Sequence, residues 1–201
     1  LVPRQSQKAP GSAIRHGHAK KCNRPQFLQA QCWVTLGISV FGCADRKYVL
    51  PIVSRLVPAK GNRNKLIIAL ALVRNLAPTI ASKSVRLLFD YWFMRARLIL
   101  PLLSRKMQVI GQARYDTALF MPPEVLSKPR RGRPKIYGIK ITPEAIQRLP
   151  ATEVRLTLYG KEQLIRLRTV VAIARFLKGV PVRAVWCEFY DADKLCWSKT
   201  R

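Results

Sequence analysis

Residues 84–97 read Ser-Val-Arg-Leu-Leu-Phe-Asp-Tyr-Trp-Phe-Met-Arg-Ala-Arg. The apolar and partly β-branched run over residues 85–89 predicts a buried strand of the kind found in parallel sheets. Beyond it, apolar residues recur every four positions from Met94 to Leu102, with arginines between them, which predicts a helix. Asp90 therefore lies where a strand ends and a helix begins.

Two interpretations of Asp90 follow from this position. In open α/β sheets, sites are built at the carboxyl ends of strands, and a carboxylate there can bind a hard divalent cation, which prefers oxygen ligands. Alternatively, Asp90 only caps the following helix by accepting a hydrogen bond from a backbone N–H of its first turn. Position alone favours the cap.

The composition points to a polyanionic partner. The chain of 201 residues has 37 Lys and Arg against 10 Asp and Glu, a formal net charge of +27, and its hydrophobic content of 49% can supply a sizeable core. Up to Arg114 the only acidic residues are Asp45 and Asp90. A charge excess spread over the whole chain makes nucleic acid the first candidate partner.

The cysteines and the chain start predict an intracellular, cytoplasmic protein. Five cysteines with no Cys-x-x-Cys pair predict reduced thiols. His16, His18 and Cys22 have poor spacing for a zinc site. No apolar run approaches the ~20 residues of a membrane span. Residues 1–4 do not resemble a signal peptide, and the missing initiator Met predicts that the chain begins within a longer protein.

Periodicity and turn signals divide the chain into three segments, 1–25, 26–114 and 115–201. The first is basic, rich in Pro and Gly and without periodicity, and predicts an extended arm. The second predicts the order β-β-α-β-α-β. Its elements are expected as strands over 26–41 and 47–57, a helix from Asn62 that Pro78 stops, a strand over 85–89, a helix to Ser104 and a strand over 107–113. Pro51 predicts an edge position or a bulge in the second of these strands.

The third segment is predicted to be β-rich. Strands are expected over 153–158 and 163–171, on either side of a hairpin turn, then over 182–190 and from Leu195. Thr142 and Pro143 predict the cap and the first turn of a short helix.

The arrangement of the middle segment follows from its turns. A turn at residues 42–46 predicts that residues 47–57 pair antiparallel with residues 26–41. The buried character of residues 85–89 predicts that this strand lies in the same sheet. Asp90 is then expected to open toward a groove at the carboxyl end of its strand, with Arg95 nearby on the next helix.

Two motifs carry a family resemblance: Leu88-Phe89-Asp90-Tyr91-Trp92-Phe93-Met94-Arg95 and Val109-Ile110-Gly111-Gln112-Ala113-Arg114. They closely resemble insertion-sequence transposases of the DDE superfamily, which are endonucleases with a ribonuclease H-like fold. The likeness continues in one order over nearly the whole chain, at residues 9–12, 16–19, 23–25, 31–34, 50–56, 131–134, 156–161, 175–179 and 182–186.

The resemblance implies an α/β fold. Residues 26–114 would form a partial ribonuclease H-like core that lacks its first strand, and residues 115–201 would form a β-rich insertion after it. It also implies that Asp90 is the second of three catalytic carboxylates and a ligand of Mg²⁺ or Mn²⁺ in the intact parent. That parent would cut and join DNA strands in a metal-dependent reaction, and it would act as a homodimer on paired DNA ends.

Two of the three carboxylates of the family pattern are not matched in this sequence. The first Asp of the pattern precedes a Val-Pro-Arg stretch, here residues 2–4, and its Glu lies on a helix beyond the insertion. Four glutamates of the insertion are predicted to be surface charges instead: Glu144, Glu153, Glu162 and Glu188. We therefore expect a catalytically incomplete fragment of a transposase, with weak or no metal binding of its own.

A second feature is the basic loop 128–140, which begins Lys128-Pro129-Arg130-Arg131-Gly132-Arg133-Pro134-Lys135. Its Arg-Gly-Arg-Pro core resembles an AT-hook, which lays arginines in a narrow, A·T-rich minor groove. The alternative, a loop that contacts phosphates without sequence preference, is favoured because the match covers only four residues. The predicted DNA-binding residues are Arg95, Lys128, Arg130, Arg131, Arg133 and Lys135.

A different class of protein also fits the charge, namely a non-catalytic basic nucleic-acid-binding module such as a ribosomal or nucleoid protein. Asp90 discriminates between the two, since a binding module has no need of a carboxylate at the carboxyl edge of a sheet. A membrane-surface protein is disfavoured because it would need a longer basic amphipathic helix. The predicted partner is thus DNA, with no membrane.

Overall fold

The computed structural model describes residues 2–3, 8–17, 25–42, 47–59, 64–80, 84–114, 116–124, 132, 134–158 and 160–200. The described residues form three α-helices and several β-sheets, a broadly α/β arrangement that is rich in strands. The chain divides into two compact units, the first made of Leu1–Phe89 and Arg97–Ile110 and the second of Asp90–Ala96 and Gly111–Arg201. None of the helices in this described part is long and apolar enough to cross a membrane.

The first unit is built on one long strand, β3 (Phe27–Phe41). Three strands pair with it, all antiparallel: β1 (Val2–Pro3), β2 (Ala13–His16) and β4 (Lys47–Val57). The pairing of β3 with β4 confirms the predicted hairpin. The segment expected to be an extended arm differs from that expectation, because β1 and β2 within it belong to the sheet.

A buried arginine fixes part of this arm. Arg15 on β2 is buried, and its guanidinium donates from Nε to the carbonyl oxygen of Ala30 at 3.3 Å and from Nη2 to that of Pro58 at 3.1 Å. Ile14, the neighbouring apolar residue, is exposed. The strand is therefore held by backbone pairing and a buried cation, so hydrophobic alternation could not reveal it.

A β-bulge interrupts the pairing of β3 with β4 after Leu36, where Gly37 pairs with Pro51. A Cβ at Gly37 would lie 2.8 Å from the carbonyl oxygen of Leu50, so the close approach of the two backbones admits only glycine. The bulge that Pro51 predicts is therefore confirmed.

Helix α1 (Asn64–Ile80) packs against β3 and β4. One face of the helix is buried, formed by Ile68, Ala69, Leu72 and Val73. The helix continues through Pro78, so the prediction that this proline stops it is wrong. A proline removes one backbone donor, and close to the end of a helix that loss affects a single bond, so the helix ends two residues later.

Strand β5 (Arg86–Phe89) pairs with β6 (Gln108–Gly111) in a separate two-stranded sheet. The prediction that it joins the sheet of β3 is wrong, because an apolar run identifies a strand but not its partner. Leu87 is buried while Leu88 is 66% exposed, so β5 is covered on one face rather than on both. Helix α2 (Ala96–Leu103) follows β5 and buries Leu98, Ile99 and Leu102.

The second unit is built on β9 (Lys161–Ala174). Three strands pair with it, β7 (Leu119–Phe120), β8 (Ala151–Leu158) and β10 (Pro181–Asp191), and all three pairings are antiparallel. A further strand, β11 (Cys196–Trp197), pairs antiparallel with β10. The predicted hairpin of β8 and β9 and the predicted strand over 182–190 are confirmed. Helix α3 (Pro143–Gln147) begins as predicted, since Thr142 Oγ1 accepts a hydrogen bond from the backbone N–H of Ala145 at 3.3 Å.

Candidate nucleic-acid interface

Asp90 is the first residue after β5, and its carboxylate is exposed. Its Oδ1 accepts a hydrogen bond from the backbone N–H of Tyr91 at 2.6 Å, and its carbonyl oxygen accepts one from the N–H of Phe93 at 3.0 Å. Both bonds stabilise a turn over residues 91–93. Helix α2 begins only at Ala96. The interpretation of Asp90 as the cap of that helix is therefore wrong, and the residue organises the turn instead.

Met94 holds the chain after this turn through a contact with Gly111. A Cβ at Gly111 would lie 2.1 Å from Met94 Sδ, so the thioether occupies the space that a side chain would take. Trp92 and Phe93 contact each other edge to face, with ring centroids 5.1 Å apart. The glycine thus helps to position Arg95, the next residue along the chain.

We expect Gly111→Ala to lower the free energy of unfolding by about 1–3 kcal/mol, because the added methyl group overlaps Met94 and displaces its side chain. Chemical denaturation of the two proteins measures the difference. In a Met94→Ala background the overlap is gone, so the same substitution should cost much less. Equal costs in both backgrounds would show that Met94 is not the reason for the glycine.

A cavity of about 410 Å³ lies beside this turn, within the second unit. Three segments line it: part of residues 91–96, residues from 113–118, and residues 175–176. Its charged walls include Arg95, Arg114 and Arg175. These arginines are far apart in sequence, and the fold of the unit brings them to one place.

The pairing of β7 with β9 places Arg175. Leu119 pairs with Ala174, and the backbone N–H of Arg175 donates to the carbonyl oxygen of Ala118 at 3.2 Å. The 3₁₀ turn that follows buries Leu177, which is 2% exposed, and leaves Arg175 exposed. A buried leucine therefore anchors the short turn that presents the arginine.

The cavity is positively charged. Among the lining residues that the structure describes, Asp116 is the one acid, and it accepts a hydrogen bond from Arg114 Nη2 at 3.0 Å. In this described lining, three guanidinium cations therefore face one anion. Tyr91 and Phe176 add aromatic surface to the same walls. This combination fits an anion such as a phosphate ester.

The structure describes two of the six predicted DNA-binding residues, Arg95 and Lys135. Arg95 lines the cavity, although Asp90 does not belong to its lining residues. Lys135 is exposed and does not line the cavity either. The others lie outside the described residues: Lys128, Arg130, Arg131 and Arg133.

Two of the cavity arginines were missed by sequence reasoning. Arg114 is the last residue of the motif at residues 109–114, and Arg175 is the first residue of the stretch 175–179. Both therefore lie in parts of the chain that resemble the transposase family. Nothing in either local pattern shows that the two side chains share a wall. The only usable signal was the resemblance itself.

The prediction that Glu188 is a surface charge is wrong, since the residue is only 4% exposed. Its carboxylate accepts a hydrogen bond from Arg168 Nη1 at 2.7 Å and another from Gln147 Nε2 at 3.2 Å, and Thr200 donates a third. The other three glutamates in that group are exposed, as predicted. Burial of Glu188 follows from its place on β10, where the side chain meets donors from β9, α3 and the end of the described chain.

The environment of Glu188 favours its ionised form. Burial by itself would raise the pKa of this carboxyl group, but the hydrogen bonds from Thr200, Arg168 and Gln147, together with the charge of Arg168, lower it from 4.5 to about 2. A carboxylate that is ionised and fully engaged by donors is suited to holding strands together. We therefore assign Glu188 a structural role rather than a catalytic one.

The residues around Asp90 do not by themselves fit a divalent cation. Within the ranges that the structure describes, no group of three or more His, Cys, Asp or Glu side chains lies close enough to hold a metal ion. Mg²⁺ needs several oxygen ligands, whereas the charged walls of the adjacent cavity are mainly arginines. The chemistry that these residues support is anion binding.

Comparison of the chain with models of known protein families and with curated proteins finds no match. Two features of the chain itself bear on its function. One is the ordered set of motifs around Asp90, and the other is the cationic cavity that the same motif helps to form.

Proposed function

We propose that this chain is part of a DDE-type transposase with a ribonuclease H-like core, and that it binds DNA in the cytoplasm through its cationic surface. One observation carries the proposal. The motif at residues 90–95 directly follows β5, exposes the Asp90 carboxylate and contributes Tyr91, Met94 and Arg95 to a cavity with three arginines. A strand-end carboxylate beside a phosphate-binding surface suits phosphodiester chemistry.

Charge supports the DNA partner independently of the motif. A formal net charge of +27 far exceeds what solubility needs. Each phosphate that a Lys or Arg neutralises releases condensed counterions, which drives binding without regard to base sequence. The affinity is therefore expected to be broad, with little preference among DNA sequences.

In the intact parent, Asp90 would be one of three carboxylates that hold Mg²⁺ or Mn²⁺, and the ions would stabilise charge during phosphoryl transfer. The other two carboxylates are not matched in this sequence. We therefore expect the 201-residue chain to bind DNA without cutting it. The homodimer implied by the family resemblance belongs to the same proposal.

A second candidate is a nucleic-acid-binding module without chemistry. The observation that favours it is the cavity itself, because its described lining has three arginines and a single acid, which is paired with Arg114. The two candidates differ in what they require of Asp90. A binding module tolerates its replacement, whereas a transposase does not.

The proposal is tested first by the salt dependence of DNA binding. For six to ten phosphate contacts, affinity should fall by about 10³–10⁵-fold between 50 and 200 mM salt. Fluorescence anisotropy with a labelled 20-base-pair duplex measures this slope. Affinity that stays constant over that range would contradict the proposed DNA partner.

The basic loop is tested by replacing Arg131 and Arg133 together. Changing both to Gln should reduce the slope of log affinity against log salt by about two, if each contacts one phosphate. Changing both to Lys keeps the charge and should keep the slope. An AT-hook would behave differently, since the Lys variant would lose a preference for A·T-rich over G·C-rich duplexes.

A further inference from the structure

We propose that the cavity lined by Arg95, Arg114 and Arg175 holds one unpaired nucleotide of a single-stranded nucleic acid. Arginines would bind the phosphate, and Tyr91 and Phe176 would contact the base. This inference rests on the proposed function, since it names the part of a nucleic acid that one cavity accepts. It also goes beyond that function, because charge alone predicts no preference between single and double strands.

The phosphate end of the site is defined by the arginines. A guanidinium carries five N–H donors in a planar fork that suits phosphate oxygens. The bond to Asp116 engages Arg114 at Nη2, which fixes the orientation of its planar group. The backbone of Arg175 is held by the bond of its N–H to the carbonyl oxygen of Ala118, and its side chain is exposed. One of the three guanidinium groups, that of Arg114, is thus held by a side-chain hydrogen bond before any ligand arrives.

The base end of the site is defined by aromatic side chains. Tyr91 is 46% exposed, so its ring is available to a ligand, and Phe176 is half-buried in the 3₁₀ turn beside Arg175. Met94 adds apolar surface to the same wall. Proteins that bind single strands combine basic grooves with aromatic rings on which bases stack.

The form of the site argues against duplex DNA as its occupant. A cavity of about 410 Å³ lies within the range of small-ligand pockets, roughly 300–1,000 Å³. Bases in a duplex are stacked on their neighbours and turned inward, so a duplex could offer this cavity only its phosphates. An unpaired nucleotide offers both a phosphate and an aromatic face.

The test uses the 201-residue chain and two fluorescent probes, a five-nucleotide oligothymidylate and a 20-base-pair duplex. Tyr91→Leu and Phe176→Leu should each weaken binding of the oligothymidylate about 5- to 100-fold and change duplex binding less than about twofold. Arg175→Gln should weaken the oligothymidylate as well. Arg155→Gln, at an exposed position on β8 outside the cavity, is the charge-matched control and should leave oligothymidylate binding unchanged.

Each alternative gives its own result. Aromatic variants that bind the oligothymidylate as tightly as the wild type would overturn the inference, and so would inorganic phosphate that competes as strongly as the oligonucleotide. Circular dichroism confirms that each variant is folded, and Tyr91→Leu provides the test at an exposed position if Phe176→Leu unfolds the chain. If duplex binding depends on salt but the aromatic substitutions leave oligothymidylate binding unchanged, only this inference is contradicted. Oligothymidylate binding at the cavity without duplex binding would contradict only the duplex binding that the proposed function predicts.

Discussion

Glu188→Gln is expected to lower the free energy of unfolding by about 3 kcal/mol at neutral pH. Folding lowers the pKa of Glu188 from 4.5 to about 2, and each pKa unit corresponds to about 1.4 kcal/mol. Glutamine preserves the shape of the side chain but carries no charge. Arg168, itself buried, would lose the partner that neutralises it.

The pH dependence of stability gives the sign of this effect. Because the pKa of Glu188 is lower in the folded state, its contribution is present in full above the unfolded-state pKa near 4.5 and is lost as the pH falls toward 2. Urea denaturation at a series of pH values should therefore show that the free energies of unfolding of the wild type and of Glu188→Gln converge as the pH falls. The wild type and Glu188→Gln should differ by about 3 kcal/mol at pH 7 and approach each other on acidification.

Glu153→Gln is the matched control. Glu153 is exposed on β8 and pairs with Arg166 at 2.9 Å, and Arg166 also lies 3.7 Å from Glu188. An exposed ion pair of this kind contributes about 0–1 kcal/mol. If Glu188→Gln costs no more than Glu153→Gln at neutral pH, the buried ion pair does not stabilise the second unit as described.

Several parts of the fold that follow from local sequence were predicted correctly, although the stop at Pro78 was not. The β8–β9 hairpin, the Thr142 cap and the bulge at Pro51 each depend on residues close together along the chain. Alternation in the first half of β10 also follows from its own sequence, because Val182 and Ala184 are more buried than the residues on either side of them. In these places, turn residues and side-chain periodicity carry the information.

The parts that depend on distant residues were not predictable in this way. The pairing of β5 with β6 depends on which strands meet, and an apolar run says nothing about that choice. Glu188 is buried because Arg168, Gln147 and Thr200 come from three other places in the chain. In the cavity, Arg175 likewise lies near residues more than fifty positions away in the sequence, and no local sequence pattern indicates this proximity.

The second large effect concerns Asp90 in a protein that carries all three carboxylates of the family pattern. In such a protein, this chain is joined to flanking residues that supply the other two. Asp90→Asn is expected to reduce DNA cleavage at least about a hundredfold, since even changes behind the ligands of a metal site cost 10–100-fold. The amide keeps the shape of the side chain but removes its charge. The slope of log affinity for DNA against log salt should stay the same in this variant, because the substitution alters only one charge of a chain whose formal net charge is +27.

Asp193→Asn is the control for this experiment. Asp193 is an exposed acid that lies outside both the family motif and the lining of the cavity. Its replacement should leave cleavage within a few-fold of the wild type. Loss of cleavage in both variants to the same degree would point to a general effect of charge rather than to a role for Asp90.

The role of Asp90 is measured by cleavage of DNA that carries transposon ends, assayed with Mg²⁺ or Mn²⁺. We predict that the protein with all three carboxylates cuts this DNA, that its Asp90→Asn variant does not, and that the 201-residue chain binds the same DNA without cutting. Full activity of the Asp90→Asn variant would contradict the catalytic role of Asp90. The exposed carboxylate after β5 would then only stabilise a turn, and the chain would be a nucleic-acid-binding module.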